Sequence, residues 1–134
     1  MSLASGTKLG PYEIVSPLGA GGMGEVYRAI DKRLDRTVAI KILPLHLSEN
    51  SEAKQRFARE ARAISSLNHS NICHLYDVGE QENTSFLVME YLEGETLGDR
   101  LHKGPFPRDQ VLRVATEICE VWKKHTAAES FTET

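Results

Sequence analysis

Five short runs rich in apolar residues along the first two thirds of the chain are typical of β-strands, and the first of them also alternates apolar and polar residues with a period of two. The runs occupy residues 12–18, 25–29, 37–43, 72–78 and 85–91. Gly19, the charged segment 31–36 and the polar segment 80–83 separate them. Because consecutive strands joined by short turns pair in opposite directions, the pattern predicts an antiparallel sheet.

Three other stretches have the periodicity of helices. From about Ser51 to Leu67 an apolar residue recurs every three or four positions and forms one face of a helix, namely Ala53, Phe57, Ala61, Ile64 and Leu67. A short helix is predicted near residues 96–102. A longer helix is predicted after Pro107, with one apolar stripe of Val111, Ala115, Ile118 and Trp122. The predicted fold class is α+β: a five-stranded antiparallel sheet with one packed helix, then two further helices.

The composition is that of one ordinary globular domain, with 134 residues of which 40% are apolar and 26% charged. A net charge of −3 without a block of Lys and Arg predicts no nucleic-acid partner. No apolar run reaches the roughly 18 residues of a membrane span, and the first residues lack the pattern of a signal peptide. Cys73 and Cys119 are isolated, which predicts reduced thiols, and we expect a cytoplasmic protein.

The residues with the clearest chemical meaning are the glycines of LGAGGMGEVYRA at positions 18–29. Their G-x-G-x-x-G spacing is typical of backbone that approaches a phosphate, although alone it is equally compatible with a plain hairpin turn. A dinucleotide-binding loop is excluded, because a strand rather than a helix follows and Pro44 and Leu45 occupy the region where an acidic residue is needed. A Walker loop is excluded because no Gly-Lys-Ser or Gly-Lys-Thr follows.

The remaining pattern is G-x-G-x-x-G-x-V in a hairpin, followed by VAIK at residues 38–41. With these two motifs the chain resembles the amino-terminal lobe of bacterial (Hanks-type) serine/threonine protein kinases, collinearly over residues 10–120. The segments LNHSNI at 67–72 and FLVMEYL at 86–92 resemble the family's helix-to-strand turn and its last strand with the hinge. The resemblance implies an N-terminal extension at 1–10, an ATP-binding N-lobe at 11–92, the hinge and first helices of an incomplete C-lobe at 93–128, and a frayed tail at 129–134.

The resemblance also implies an ATP site. The glycine-rich hairpin would cover the triphosphate with backbone N–H groups, Val26 and Ala39 would enclose the adenine, and Met89 would be the gatekeeper. The carbonyl of Glu90 and the N–H of Leu92 would bind the edge of the adenine. The complete set of implied ATP-binding residues is Leu18, Gly19, Ala20, Gly21, Gly22, Met23, Gly24, Glu25, Val26, Ala39, Lys41, Met89, Glu90 and Leu92.

Lys41 and Glu60 are the implied ion pair that supports catalysis. Strand alternation places Ala39 and Lys41 on one face, so Lys41 would reach the α- and β-phosphates. Glu60 lies on or beside the apolar face of the predicted helix, where an unpaired carboxylate would be costly, and Lys41 is its candidate partner. The alternatives are a solvated strand lysine and a surface pair of Glu60 with Arg56, which contributes only about 0.3–0.5 kcal/mol.

Two motifs of the family do not occur in these 134 residues: the HRDxxxxN loop, which supplies the base and a magnesium ligand, and DFG, which supplies the principal magnesium ligand. We therefore expect no catalytic residue and no metal ligand in the chain, weak binding of ATP, no protein phosphorylation, and exposed surfaces that favour self-association. The alternative functions are a non-catalytic module that docks on another kinase domain and the product of a frameshifted pseudogene.

The frameshift hypothesis rests on the last residues, VWKKHTAAESFTET, where the resemblance fades. One choice of codons for residues 121–134, read after its first two bases are removed, translates as LEKAHRSGIIHRD. This reading supplies the end of a helix and then the missing HRD. The nucleotide sequence after codon 120 decides between a shifted frame and the reading as it stands.

Overall fold

The computed structural model describes residues 3–21 and 24–132, and for Leu45 and residues 125–132 it describes the backbone only. The chain forms two compact units. The first comprises the described residues up to Ser65 together with Cys73–Leu92, and the second comprises Ser66–Ile72 and the described residues from Glu93 onward. The elements are β1 (Lys8–Leu9), β2 (Tyr12–Gly21), β3 (Gly24–Asp31), β4 (Arg36–Ile42), α1 (Leu45–Ser48), α2 (Ser51–Ser65), β5 (Leu75–Gln81), β6 (Thr84–Glu90), α3 (Leu97–His102) and α4 (Arg108–Thr132).

The first unit is built on one antiparallel sheet with the strand order β1-β2-β3-β4-β6-β5. The predicted α+β class is confirmed, and the five predicted strands are present. A sixth strand, β1, is added by two residues from the segment that was predicted to be an extension. β5 extends to Gln81 because Glu82 and Asn83 both have positive φ angles, 49° and 64°, and close a two-residue turn between Gln81 and Thr84.

Buried side chains cover both faces of this sheet. The outer-face cluster consists of Leu9, Tyr12, Ile14, Tyr27, Ala29, Val38, Ile40, Ile42, Phe86 and Val88. On the other face, α2 packs Phe57 and Ala61 against Leu43 and Leu87. Because α2 contributes one narrow apolar stripe, its opposite side is polar and exposed, as the periodicity predicts. The helix ends at Ser65, two residues before the predicted end.

The second unit contains α3 and α4. The Thr96 side chain caps α3 by accepting a hydrogen bond from the N–H of Asp99 at 3.0 Å. α4 begins after Pro107 and its helical backbone continues to Thr132, into the segment that we expect to fray. Six large apolar side chains on α3 and α4 are exposed, namely Leu97, Leu101, Val111, Leu112, Ile118 and Trp122. Among the described residues, no helix combines the length and apolar character of a membrane-crossing segment.

Candidate nucleotide-binding site

The glycine-rich segment forms the end of the hairpin between β2 and β3. Gly19 lies opposite Val26, Ala20 opposite Glu25, and Gly21 opposite Gly24. Gly22 and Met23, which belong to the predicted ATP site, lie outside the described residues. Leu18 precedes the hairpin end on β2 and is exposed. The described glycines therefore lie at the end of a hairpin between two strands, as the sequence predicts.

Gly24 is the described glycine of this hairpin that the backbone requires. Its φ angle is 142°, and a Cβ built there would lie 2.2 Å from the carbonyl oxygen of Ile42 in β4. No L-residue with a side chain fits this conformation and this distance together. At Gly19, by contrast, a Cβ would meet nothing within 4 Å. Gly24 thus allows β3 to approach β4 closely where the hairpin begins.

The cross-strand register assembles one face of the sheet below this hairpin. Lys41 lies opposite Val26 on one side and Leu87 on the other, and Ala39 lies opposite Met89. Directly opposed residues of antiparallel strands share a face, so these five side chains point the same way. The neighbours of Lys41 along β4, Ile40 and Ile42, belong to the outer-face cluster, in agreement with the predicted alternation.

An ion pair joins this face to α2. The Nζ atom of Lys41 donates a hydrogen bond to Oε1 of Glu60 at 2.8 Å, and the two side chains are 18% and 32% exposed. The pair is thus largely screened from water. In such partly buried surroundings opposite charges attract each other more strongly than on an open surface. Arg56, the alternative partner of Glu60, pairs with Glu52 at 3.2 Å instead. The structure brings Lys41 and Glu60 together and does not form the surface pair with Arg56.

Glu90 ends β6 and is held by the residues that precede β5. Its N–H donates to the carbonyl of His74 at 2.8 Å, and its carboxylate lies 3.7 Å from the Nδ1 of His74. The carbonyl of Glu90, predicted to bind adenine, accepts a hydrogen bond from the thiol of Cys73 at 3.4 Å. A carbonyl oxygen has two acceptor positions, so a second donor is still possible. Leu92, the other predicted hinge residue, is exposed.

Three features of the site were not found by sequence reasoning. Leu87 is fully buried opposite Lys41, a position that the apolar run SFLVMEY hints at without fixing the register. Burial raises the pKa of the Cys73 thiol, as does the nearby charge of Glu90, so the thiol stays protonated and can donate to the Glu90 carbonyl. The side chain of Glu25 is bonded to the Tyr27 hydroxyl, on the face opposite to Lys41.

The sequence that forms these elements matches a known protein family. The model of the protein kinase domain family matches residues 12–124. The chain is 44% identical over 110 residues to the serine/threonine-protein kinase PrkC of Bacillus subtilis, covering 81% of the chain and 17% of the relative. It is 41% identical over 114 residues to the serine/threonine-protein kinase PknB of Mycobacterium leprae, covering 81% of the chain and 18% of the relative.

Solved kinase domains have the same fold. The crystal structure of the Mycobacterium tuberculosis PknI kinase domain, C20A mutant, superimposes with a TM-score of 0.81 at 27% identity, over 96% of this chain and 53% of that one. The chain therefore spans about half of a solved kinase domain and less than a fifth of the curated relatives above. The family match covers most of the chain, and the chain belongs to the protein kinase family, among relatives that are bacterial serine/threonine kinases.

Proposed function

We propose that this chain is the ATP-binding part of a serine/threonine protein kinase. The observation that carries the proposal is the 2.8 Å pair between Lys41 and Glu60 on the face below the glycine-rich hairpin. A lysine held by a carboxylate keeps its ammonium group at a fixed position, where it can contact the phosphates of a bound nucleotide.

The residues present fit a nucleoside triphosphate. The backbone of the hairpin offers N–H groups to phosphate oxygens, and Lys41 supplies a positive charge beside them. Val26 and Ala39 provide small apolar surface for a flat ring, and the carbonyl of Glu90 and the N–H of Leu92 would bind its edge. When bound, ATP with Mg²⁺ supplies the phosphoryl group for transfer to a protein hydroxyl. The HRD and DFG motifs, which supply the base and the metal ligands in this family, do not occur in these 134 residues.

The 134-residue chain by itself is therefore expected to bind Mg-ATP no more tightly than about 1 mM, which corresponds to about 4 kcal/mol. A titration with ATP in which NMR chemical shifts are monitored measures such weak binding. The expected result is a set of shifts at the backbone amides of residues 18–21, 24–26 and 90–92. Lys41→Met should weaken binding about tenfold, because one charged phosphate contact is lost.

Lys54→Met is the matched control, because Lys54 lies on α2 and pairs with Glu80 at 3.8 Å, away from the hairpin. ATP affinity should be the same as in the unchanged chain. If Lys41→Met and Lys54→Met weaken binding equally, or if ATP shifts no amide in the hairpin, the ATP-binding proposal is wrong. Transfer of labelled phosphate to protein by the purified chain, abolished by Lys41→Met, would contradict the expected inactivity.

A second candidate function is a non-catalytic module that docks on an intact kinase domain. The exposed apolar side chains of α3 and α4 favour it, because such a group of residues is typical of an interaction surface. In gel filtration, the chain mixed with a full-length relative such as PrkC should then elute as a complex, and Ile118→Glu should abolish this shift. Elution of the two proteins at their separate volumes would exclude the docking function.

A further inference from the structure

The segment before β2 is bonded to the sheet along its length. The N–H of Gly6 donates to the carbonyl of Ile14 at 2.7 Å, and the N–H of Ile14 donates to the carbonyl of Thr7 at 2.9 Å. Leu9, in β1, is only 5% exposed and belongs to the outer-face cluster. Leu3 packs against the same cluster. We call residues 3–10 the N-terminal brace.

The far end of the N-terminal brace meets the hydroxyl group of Tyr27 in β3. The N–H of Leu3 donates to this oxygen at 2.8 Å, and the hydroxyl in turn donates to the carboxylate of Glu25. Tyr27 is 1% exposed, so neither bond can be replaced easily by water. Burial, and then the bond to Glu25, raises the pKa of Tyr27, which keeps the hydroxyl protonated and able to donate.

Glu25 carries this chain of hydrogen bonds into the glycine-rich hairpin. It lies opposite Ala20 in β2 and opposite Ile42 in β4, at the point where the hairpin leaves the body of the sheet. Its side chain is on the outer face with Tyr27, so it does not compete for the face that carries Lys41. The carboxylate is thus held from outside, while the opposite side of the hairpin stays available.

The other end of the N-terminal brace is tied to the β5–β6 hairpin. The N–H of Gly10 donates to Oε1 of Gln81 at 2.6 Å, and Nε2 of Gln81 donates to the carbonyl of Lys8 at 3.3 Å. One amide side chain therefore anchors the end of the brace with two bonds. A segment that is bonded at both ends to different hairpins limits how far one can move relative to the other.

We propose that the N-terminal brace and Tyr27 position the glycine-rich hairpin, through the hydrogen bonds from the Leu3 N–H to the Tyr27 hydroxyl and from that hydroxyl to the Glu25 carboxylate. Tyr27 is a positioning residue that acts through Glu25 and touches no nucleotide. The consequence for ATP rests on the proposed function: a hairpin held in place binds phosphate without first having to be ordered. The positioning of the hairpin itself is a property of the protein without nucleotide.

Hydrogen exchange of the backbone amides tests the proposal. Tyr27→Phe removes the hydroxyl and keeps the ring, and Leu3→Pro removes the donated N–H and keeps an apolar side chain. Both variants should speed the exchange of amides in residues 18–21 and 24–26 by at least about fivefold, because Tyr27→Phe removes both hydrogen bonds of the hydroxyl and Leu3→Pro removes the bond that the brace donates. The exchange of β6 amides should stay the same.

Tyr12→Phe is the matched control. It removes a hydroxyl of a similarly buried tyrosine, which donates to Asp77 at 2.8 Å and has no bond to the hairpin. It should lower thermal stability without speeding exchange in the hairpin. If Tyr27→Phe and Leu3→Pro speed exchange uniformly over the whole sheet, or leave the hairpin unchanged, the two groups are merely structural and the proposal is overturned.

A nucleotide titration separates this proposal from the proposed function. If the unchanged chain binds ATP, both variants should weaken binding by up to about fivefold, because the apparent affinity falls with the fraction of chains whose hairpin is ordered. Unchanged ATP affinity together with faster hairpin exchange would overturn the consequence for ATP. Failure of the unchanged chain to bind ATP would count against the proposed function alone, because the exchange rates still decide whether the N-terminal brace positions the hairpin.

Discussion

At the scale of single residues, Gly24 lies where a side chain would overlap with the carbonyl of Ile42. Gly24→Ala would place a methyl group 2.2 Å from that oxygen, at a φ angle of 142°. We expect a loss of about 2 kcal/mol or more in the free energy of unfolding, because both strain and overlap must be relieved. Urea denaturation measures this loss. Gly19→Ala, where a Cβ meets nothing, should change stability by less than about 0.5 kcal/mol, and equal effects of the two substitutions would refute the steric argument.

A second residue-scale prediction concerns pH. Burial, followed by the hydrogen bond to Asp77, raises the pKa of Tyr12 to about 12. The unfolded chain loses this proton near pH 10 while the folded chain retains it, so Tyr12 stabilises the fold fully below pH 10 and this contribution is lost as the pH rises to 12. The loss should be about 3 kcal/mol at most. Denaturation of the unchanged chain and of Tyr12→Phe from pH 8 to 12 isolates it, since Tyr27 titrates in both. Parallel curves would show that Tyr12 contributes nothing.

Local sequence patterns revealed only some of these residues. The G-x-G-x-x-G spacing indicates the glycines but not which one is sterically required, because that depends on the distance of β3 from β4. Asp31 lies in a charged run that predicts a solvated turn, yet it is fully buried, with Arg33 and Arg36 at 3.6 and 3.8 Å. A carboxylate can be buried when cations fold back over it, and that arrangement follows from the turn geometry rather than from composition.

At the scale of elements, α2 connects stability with the site. Phe57 is buried between the helix and the sheet, and Glu60 is three residues further along the same side. Phe57→Ala should cost about 3 kcal/mol of unfolding free energy, because it leaves a cavity where the helix docks. It should also weaken the Lys41–Glu60 pair, since the helix loses its main anchor. Thermal denaturation measures the first effect, and the NMR line widths of the α2 amides report the second.

Gln55→Ala is the control for this helix, because Gln55 is exposed and alanine favours helices. Its stability should change by less than about 0.5 kcal/mol. If Phe57→Ala costs no more than Gln55→Ala, α2 is not anchored by its apolar face.

The periodicity of residues 51–67 was sufficient to predict this face, since a 3.6-residue period places Phe57 and Ala61 together whatever the tertiary fold. β1 was not predictable in this way, because a two-residue strand has no period and forms only where β2 offers an edge.

At the scale of the whole molecule, 96% of the chain matches about half of a solved kinase domain, and the second unit exposes large apolar side chains. The side chains of Leu112, Ile118 and Trp122 on α4 are each more than half exposed. Large apolar residues on a helix are typical of surfaces that pack against other elements. The sequence predicted the apolar stripe of α4, but no pattern within α4 itself determines what contacts it.

The last described side chains of α4 bear on the frameshift hypothesis. Val121 is half-buried, whereas Trp122 is 69% exposed, which is an unusual position for the largest apolar side chain. The shifted reading begins Leu-Glu-Lys-Ala, with leucine at the half-buried position and glutamate where Trp122 stands. The shifted sequence is therefore compatible with the exposure pattern of the helix, but Leu112 and Ile118 on the same helix are exposed as well, so this pattern does not distinguish the two readings. The sequence after residue 120 carries the prediction that the codons from 121 onward encode HRD in the shifted frame.

Sequencing of the gene on both strands around codons 118–134 tests this prediction directly. Codons that give no HRD in the shifted frame would rule it out. A second arm uses protein: replacing Val121 and Trp122 by leucine and glutamate should leave α4 helical and reduce self-association of the chain in gel filtration, because the exposed indole is replaced by a charge. A control with Lys123→Glu, at an exposed position beside it, should not change the elution volume. Equal elution of the unchanged chain and the two variants would show that Trp122 does not mediate self-association.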